Sequence, residues 1–97
     1  MIPELDPVIH AQARLRVTVA LAALAEDDLI ALPRLQELLD MTAGNLSTHL
    51  RTLEGAGYVE ITKSFKLRNP VTRVALTPGG RSALRTYRAA PLSMLAP

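Results

Sequence analysis

One stretch restricts the fold more than any other: Thr42-Ala-Gly-Asn-Leu-Ser-Thr-His-Leu-Arg-Thr-Leu-Glu-Gly-Ala-Gly57. Leu46, Leu50 and Leu53 recur at i, i+4 and i+7, which draws a narrow apolar stripe down one side of a helix. Thr42 suits the N-cap, where its hydroxyl can accept from the free amides of the first turn. Gly44, Thr48 and Arg51 fall on the opposite side, with Asn45, Ser47 and Thr52 on the flanks. Gly55 or Gly57 can end the helix, because glycine reaches the left-handed conformation without a Cβ clash. A short helix with one core stripe and a small, hydroxyl- and amide-rich outer face has the form of an element pressed into a groove.

The rest of the chain arranges itself around this helix. Asp6-Pro7 predicts a first helix from about Pro7 to Ala25, with aspartate as N-cap and proline in the first turn. Leu15, Val19 and Ala22 mark one apolar face of it, and Val17, Leu21 and Leu24 a second. Two apolar faces are more than one small domain usually covers, so part of this helix is expected to meet a second subunit. Glu26-Asp27-Asp28 is a polar break, and Leu29 to Leu32 is a very short strand or an extended lead-in. Pro33 opens a helix to Leu39 with Leu35, Leu38 and Leu39 inward, and Asp40-Met41 is the tight link to Thr42. After Gly57 the period changes from helical to alternating. Tyr58 to Phe65 is a strand, with Val59, Ile61 and Phe65 on differing faces; Lys66-Leu-Arg-Asn-Pro70 is a turn, and Val71 to Leu76 is the returning strand. Thr77-Pro78 begins a last helix to about Ala90, which Pro91 stops.

At 97 residues and 48% hydrophobic, the chain is expected to form one domain, residues 6–90, followed by a short tail, 91–97. The class is mainly α with a small β-hairpin (α+β): a three-helix core, a wing and a C-terminal helix. No cysteine is present, which removes disulfides, thiolate metal sites and cysteine catalysis and suits a reducing cytoplasm. The longest apolar segment, Val17 to Ala25, is far short of the ~20 residues that span a membrane. The N-terminus lacks the basic and apolar regions of a signal peptide.

Net charge is only +2 but unevenly placed. Residues 1–60 hold four basic and nine acidic side chains; residues 61–97 hold seven basic and none acidic. The C-terminal third therefore has a positive field of its own, suited to a polyanion.

Three segments carry a resemblance. Leu5-Asp-Pro-Val-Ile-His-Ala-Gln-Ala-Arg-Leu-Arg16, Gly44-Asn-Leu-Ser-Thr-His-Leu-Arg-Thr-Leu-Glu-Gly-Ala-Gly-Tyr-Val59 and Leu76-Thr-Pro-Gly-Gly-Arg81 resemble small stand-alone winged helix-turn-helix regulators related to the MarR and ArsR families. The likeness runs over roughly residues 5–90. It implies a homodimeric transcriptional regulator that puts its recognition helix into the major groove and its wing on the backbone or minor groove. ArsR-type metal sensors carry cysteines on their helices, and this chain has none, so that kind of sensing is not implied. The chain is also shorter than most MarR proteins, whose long terminal helices dimerise and form an effector pocket. The sequence names no small-molecule effector.

The candidate DNA-binding residues follow from chemistry. On the recognition helix, about 42–56, they are Thr42, Gly44, Asn45, Ser47, Thr48 and Arg51. The Arg51 guanidinium can chelate guanine O6 and N7 or hold a phosphate. Asn45, Ser47 and Thr48 are short donors and acceptors for base edges. Gly44 lets the helix end approach the backbone, where the dipole favours phosphate. On the wing, about 58–76, Lys63, Lys66, Arg68 and Arg73 can neutralise phosphates, with Arg68 reaching toward the minor groove. The same cations would also guard hairpin edges against aggregation. Arg81, Arg85 and Arg88 form a stripe that faces either DNA or acidic side chains of the first helix or a partner. Val17, Leu21, Leu84, Tyr87, Leu92 and Leu95 are the expected dimer interface.

No cofactor, metal site or catalytic set is expected. His10 and His49 are read as satisfied, partly buried histidines, since a zinc site needs three or four converging ligands. Ser47 and His49 lie two apart on a helix and cannot face each other as nucleophile and base. The expected partners are double-stranded DNA and a second copy of the chain, in the cytoplasm at the nucleoid, with no membrane. Two rival readings remain: a winged-helix module for protein–protein assembly, marked by an apolar outer face on the third helix, and a non-specific architectural DNA binder.

Overall fold

The computed structural model describes residue 9, residues 11–25 and residues 28–89. The elements are α1 (Gln12–Ala22), β1 (Ile30–Ala31), α2 (Leu32–Leu39), α3 (Ala43–Gly55), β2 (Val59–Lys66), β3 (Asn69–Leu76) and α4 (Pro78–Arg88). The three strands form one antiparallel sheet in the order β1-β3-β2. Among the described residues four helices with a small sheet match the expected α+β class, and Ile30–Ala31 forms a short strand.

Helix ends fix the turn at the centre. α2 stops at Asp40, which takes the left-handed conformation at φ 53°. The Asp40 amide donates to the Glu37 carbonyl and the Met41 amide to the Gln36 carbonyl, both at 3.3 Å. This paired closure is the usual one around a left-handed residue, here without glycine. Thr42 follows as N-cap of α3, its hydroxyl oxygen accepting from the Asn45 amide at 3.2 Å. α3 ends by the same device at Gly57 (φ 79°), whose amide donates to Glu54 while the Tyr58 amide donates to Leu53, each at 2.9 Å.

α1 departs from expectation. It begins at Gln12, with Ala11 extended before it, and its last helical residue is Ala22. The Asp6-Pro7 start lies outside the described residues. Its two apolar faces serve two packing clusters. Val17 and Leu21 enter the main core with Leu35, Leu39, Leu46, Leu50, Leu53, Val59, Val74 and Leu76. Leu15 and Ala22 pack on a smaller cluster of Ile9, Leu84 and Tyr87. α4 thus covers this face at Leu15 and Ala22, while Val19 of the same face stays 40% exposed. The buried Thr18 hydroxyl donates back to the Arg14 carbonyl within the helix. In α2, Leu35 and Leu39 are buried but Leu38 is 53% exposed, not inward, because i and i+4 share a face and i+3 falls at its edge.

The hairpin is tighter than expected. Lys66 pairs with Asn69, so only Leu67 and Arg68 make the turn, at φ 50° and 72°. Two successive left-handed residues define a type I′ turn, whose twist matches that of the strands. Pro70 therefore belongs to β3 and pairs with Phe65. Next to a hydrogen-bonded closing pair its nitrogen points away from β2, and β1 reaches only Val74 and Arg73, so the proline breaks no ladder bond. Alternation from this register puts Val59, Ile61, Lys63 and Phe65 on one face, not on differing faces. Phe65, at the far end, is 79% exposed.

Arginines and one glycine join the pieces. Arg16 donates to the Leu39 carbonyl at 2.6 Å, at the end of α2. Arg81 donates to the Ala22 and Leu24 carbonyls at 3.4 and 3.2 Å, at the end of α1. Both positions place a cation where the helix dipole is negative. Thr77 caps α4 by accepting from the Gly80 amide at 2.9 Å, while its hydroxyl donates to the Gly57 carbonyl at 2.6 Å.

Candidate nucleic-acid interface

The leucine stripe of α3 is fully spent on the core: Leu46, Leu50 and Leu53 are buried. That rotation turns Gly44, Asn45, Thr48, Arg51 and Thr52 outward, all exposed, with Ser47 half-buried at the margin. Thr42 is exposed at the N-terminal end, engaged as the cap. The hydroxyls of this face are partly committed. Thr48 donates to the Gly44 carbonyl at 3.0 Å and Thr52 to the Thr48 carbonyl at 3.3 Å. Both oxygens keep lone pairs directed outward as acceptors. An added Cβ at Gly44 would meet nothing within 4 Å, so no packing demand of the chain accounts for this glycine.

α3 and the hairpin enclose a cleft of about 310 Å³, lined by Leu32, Ser47, Leu50, Arg51, Glu54, Ile61, Lys63 and Thr72. It brings Ser47 and Arg51 from the helix together with Lys63 from the wing. Thr72, opposite Lys63 in the register, and Glu54 are residues that sequence reasoning missed. Thr72 could be placed only once the length of the turn was known, and Leu-Arg lacks the Asn-Gly signature of such turns.

The remaining wing cations divide. Lys66 and Arg73 stand on the sheet face turned away from α3, by the same alternation that puts Lys63 toward it. Arg68 is exposed in the turn itself, and Arg73 is half-buried. Among the described residues Arg51, Lys63, Lys66 and Arg68 hold no ion pair; the Arg34–Glu37 contact of 3.5 Å lies on α2. On the outward sheet face an open hollow of about 510 Å³ is bounded by Leu29, Glu60, Thr62, Ala75 and Arg81.

Other expectations change. Arg81 binds backbone carbonyls of α1, not acidic side chains, while Arg85 and Arg88 are exposed at the last turn of α4. Val17, Leu21, Leu84 and Tyr87 are at most 6% exposed within the single chain, so they offer no face to another subunit. Leu92, Leu95 and His10 lie outside the described residues. His49 is half-buried, but its Nδ1 is buried without a hydrogen-bond partner among the described residues, so the satisfied histidine expected there is not found. Among the described residues no three His, Cys, Asp or Glu side chains converge, and no helix is long and apolar enough to cross a membrane.

Comparison with known proteins agrees with this geometry. Residues 14–94 match the family model of a winged helix DNA-binding domain. Over 53 residues, 55% of the chain, the sequence is 42% identical to an uncharacterized protein of Methanocaldococcus jannaschii; the chain spans 58% of that relative's length. A transcriptional regulator homologue protein from Pyrococcus horikoshii superposes with a TM-score of 0.75 at 30% identity, covering 91% of this chain and 80% of that one. A zinc-responsive MarR family member of Lactococcus lactis, ZitR, shares the fold, with a TM-score of 0.62 at 16% identity over 87% of this chain and 55% of that one.

Proposed function

The chain belongs to the winged helix DNA-binding domain family, and from that premise we propose that it is a sequence-specific transcriptional regulator acting as a homodimer in the cytoplasm. In this reading α3 enters the major groove. Arg51 reads a guanine edge or grips a phosphate, Asn45, Ser47 and Thr48 address neighbouring edges, and Thr42 and Gly44 let the helix start approach the backbone. Lys63, Lys66 and Arg68 neutralise phosphates along the wing, and Arg73 adds charge at its outer face.

The observation that carries the proposal is the cleft in which Ser47 and Arg51 of α3 face Lys63 and Thr72 of the wing. The α3 face has no acidic residue from Thr42 to Leu53, and the wing's one acidic residue, Glu60, stands on the sheet face turned away from α3; with only Glu54 bordering the cleft, the face suits a polyanion. The outer face of α3 is polar, which counts against a protein–protein module.

Selection of duplexes from a random-sequence pool, followed by footprinting of the recovered DNA, tests it. The expected outcome is a shared sequence protected as two symmetric half-sites about one helical turn apart, roughly 10 base pairs. Recovered duplexes with no common sequence would leave only an architectural binder. A single protected half-site would remove the dimer.

A further inference from the structure

The wing ends in apolar side chains that the fold does not use. Phe65 is 79% exposed and Leu67 89% exposed, the highest values among the exposed large apolar residues described. Phe65 lies opposite Pro70 in the hairpin, next to the closing pair, so an aromatic ring and a proline ring stand together at the tip. Neither Phe65 nor Leu67 belongs to either packing cluster.

The turn that presents them is strained. Leu67 at φ 50° and Arg68 at φ 72° occupy the left-handed region without glycine or asparagine. Folding alone would favour Asn-Gly there, which fits a type I′ turn at no steric cost and leaves a polar tip. Strain of this kind is typical of segments kept for what they touch. Cations surround the tip: Lys66 and Arg68 flank Leu67, and Lys63 is two residues from Phe65 on the same sheet face, with no acidic residue beyond Glu60.

We infer that Phe65 and Leu67 form an apolar wedge that the wing drives into the minor groove, where it partly unstacks a base step while Lys66 and Arg68 hold the flanking phosphates. The inference rests on the DNA-binding reading above. An apolar point ringed by cations fits a groove with stacked bases between two phosphate backbones, and such wedges kink the duplex and widen the surface it shares with protein. Flexible pyrimidine–purine steps are where the insertion costs least. An anionic membrane surface has related chemistry, but the sheet face of Phe65 is continuous with the Lys63–Arg51 cleft, which places the wedge on the DNA side of the molecule.

The test uses duplexes that the chain itself recovers from a random pool, with 2-aminopurine substituted for each adenine in turn. Its fluorescence rises when stacking is lost. With the unaltered chain, one position under the wing should rise on binding while the others stay at the level of the free duplex, as expected for a single opened step. Phe65→Ser and Leu67→Asn should abolish the rise and weaken binding by roughly tenfold, while Lys66→Ala weakens binding with the rise retained. Leu67→Asn suits the left-handed turn better than leucine, so its thermal midpoint should equal or exceed that of the unaltered chain, and a folding defect cannot account for the loss. Tight binding with no position rising, or a rise that survives both tip variants, overturns the wedge and leaves the regulator reading standing. If no duplex is recovered or bound, the regulator reading fails and the wedge with it. Binding to phosphatidylserine vesicles in preference to DNA, lost in Phe65→Ser, would reassign the tip to membranes and also overturn it.

Discussion

A methyl group at Gly80 would lie 2.2 Å from the Tyr58 carbonyl oxygen and 2.8 Å from the Leu76 side chain. The first of these is backbone, held in place by the Thr77 amide at 3.0 Å, and cannot yield cheaply. Gly80→Ala should therefore cost about 1–3 kcal/mol or more, read as a lower midpoint in denaturant. Gly79→Ala, whose new Cβ would meet atoms only at 3.6 Å, should change stability by less than ~1 kcal/mol, and equal effects at the two sites would refute the contact. Gly44 makes the opposite case. Open space around it predicts that Gly44→Ala stabilises α3 by ~0.5–1 kcal/mol while weakening binding to duplex DNA, because the methyl would stand between helix and backbone. Thermal melts and binding measured on one preparation check both halves; a gain in stability with unchanged binding would free Gly44 of any role at the groove.

Among the elements, the α2–α3 turn and the wing turn each place non-glycine residues at positive φ, with different meaning. Asp40 closes α2 through two backbone bonds and has no further task in the fold, so Asp40→Gly should stabilise by about 0.5 kcal/mol and Asp40→Val destabilise by about 1–2 kcal/mol. Chemical denaturation of the two variants would separate them, and a loss with glycine would mean that the aspartate side chain contributes more than a turn. The legibility of the sequence divides along the same line. Thr42 as cap, the buried stripe of Leu46, Leu50 and Leu53, and a glycine end at Gly55 or Gly57 are readable, because a periodic helix with caps is written in local chemistry; the fold takes Gly57 of the two. Thr77-Pro78 was equally plain as the start of α4. The hairpin register was not. Asn69-Pro70 reads as a breaker pair, and only the left-handed Leu67-Arg68 turn, which has no sequence signature, moves both residues into β3. The cleft partner Thr72 and the exposed Phe65 followed from that register and were missed with it.

At the scale of the molecule, part of α1's surplus apolar face is covered from within the same chain, and Val19 stays 40% exposed. Periodicity shows that a face must be buried but not by what, and α4 with Ile9 supplies the cover at Leu15 and Ala22. Leu21 is 1% exposed inside the main core, so Leu21→Glu should not give folded monomers. Burying an unpaired carboxylate there costs several kcal/mol, a large part of the ~5–15 kcal/mol that holds a small domain together. Circular dichroism should show lost helix, and a folded, monomeric Leu21→Glu chain on a sizing column would restore Leu21 to an interface. The charge division is the other property of the whole chain, and it gives the account its central claim: the face made by α3 and the wing binds duplex DNA. Fluorescence anisotropy of a labelled duplex recovered by selection, titrated across a salt series with Arg51→Ala alongside, tests this most directly. If Arg51, Lys63, Lys66 and Arg68 of two protomers each meet a phosphate, the logarithm of affinity should fall with the logarithm of salt at a slope of roughly −7, and Arg51→Ala should lower that slope or erase the preference for the selected sequence. Absence of binding even at low salt, or binding that neither salt nor Arg51→Ala weakens, would contradict the account.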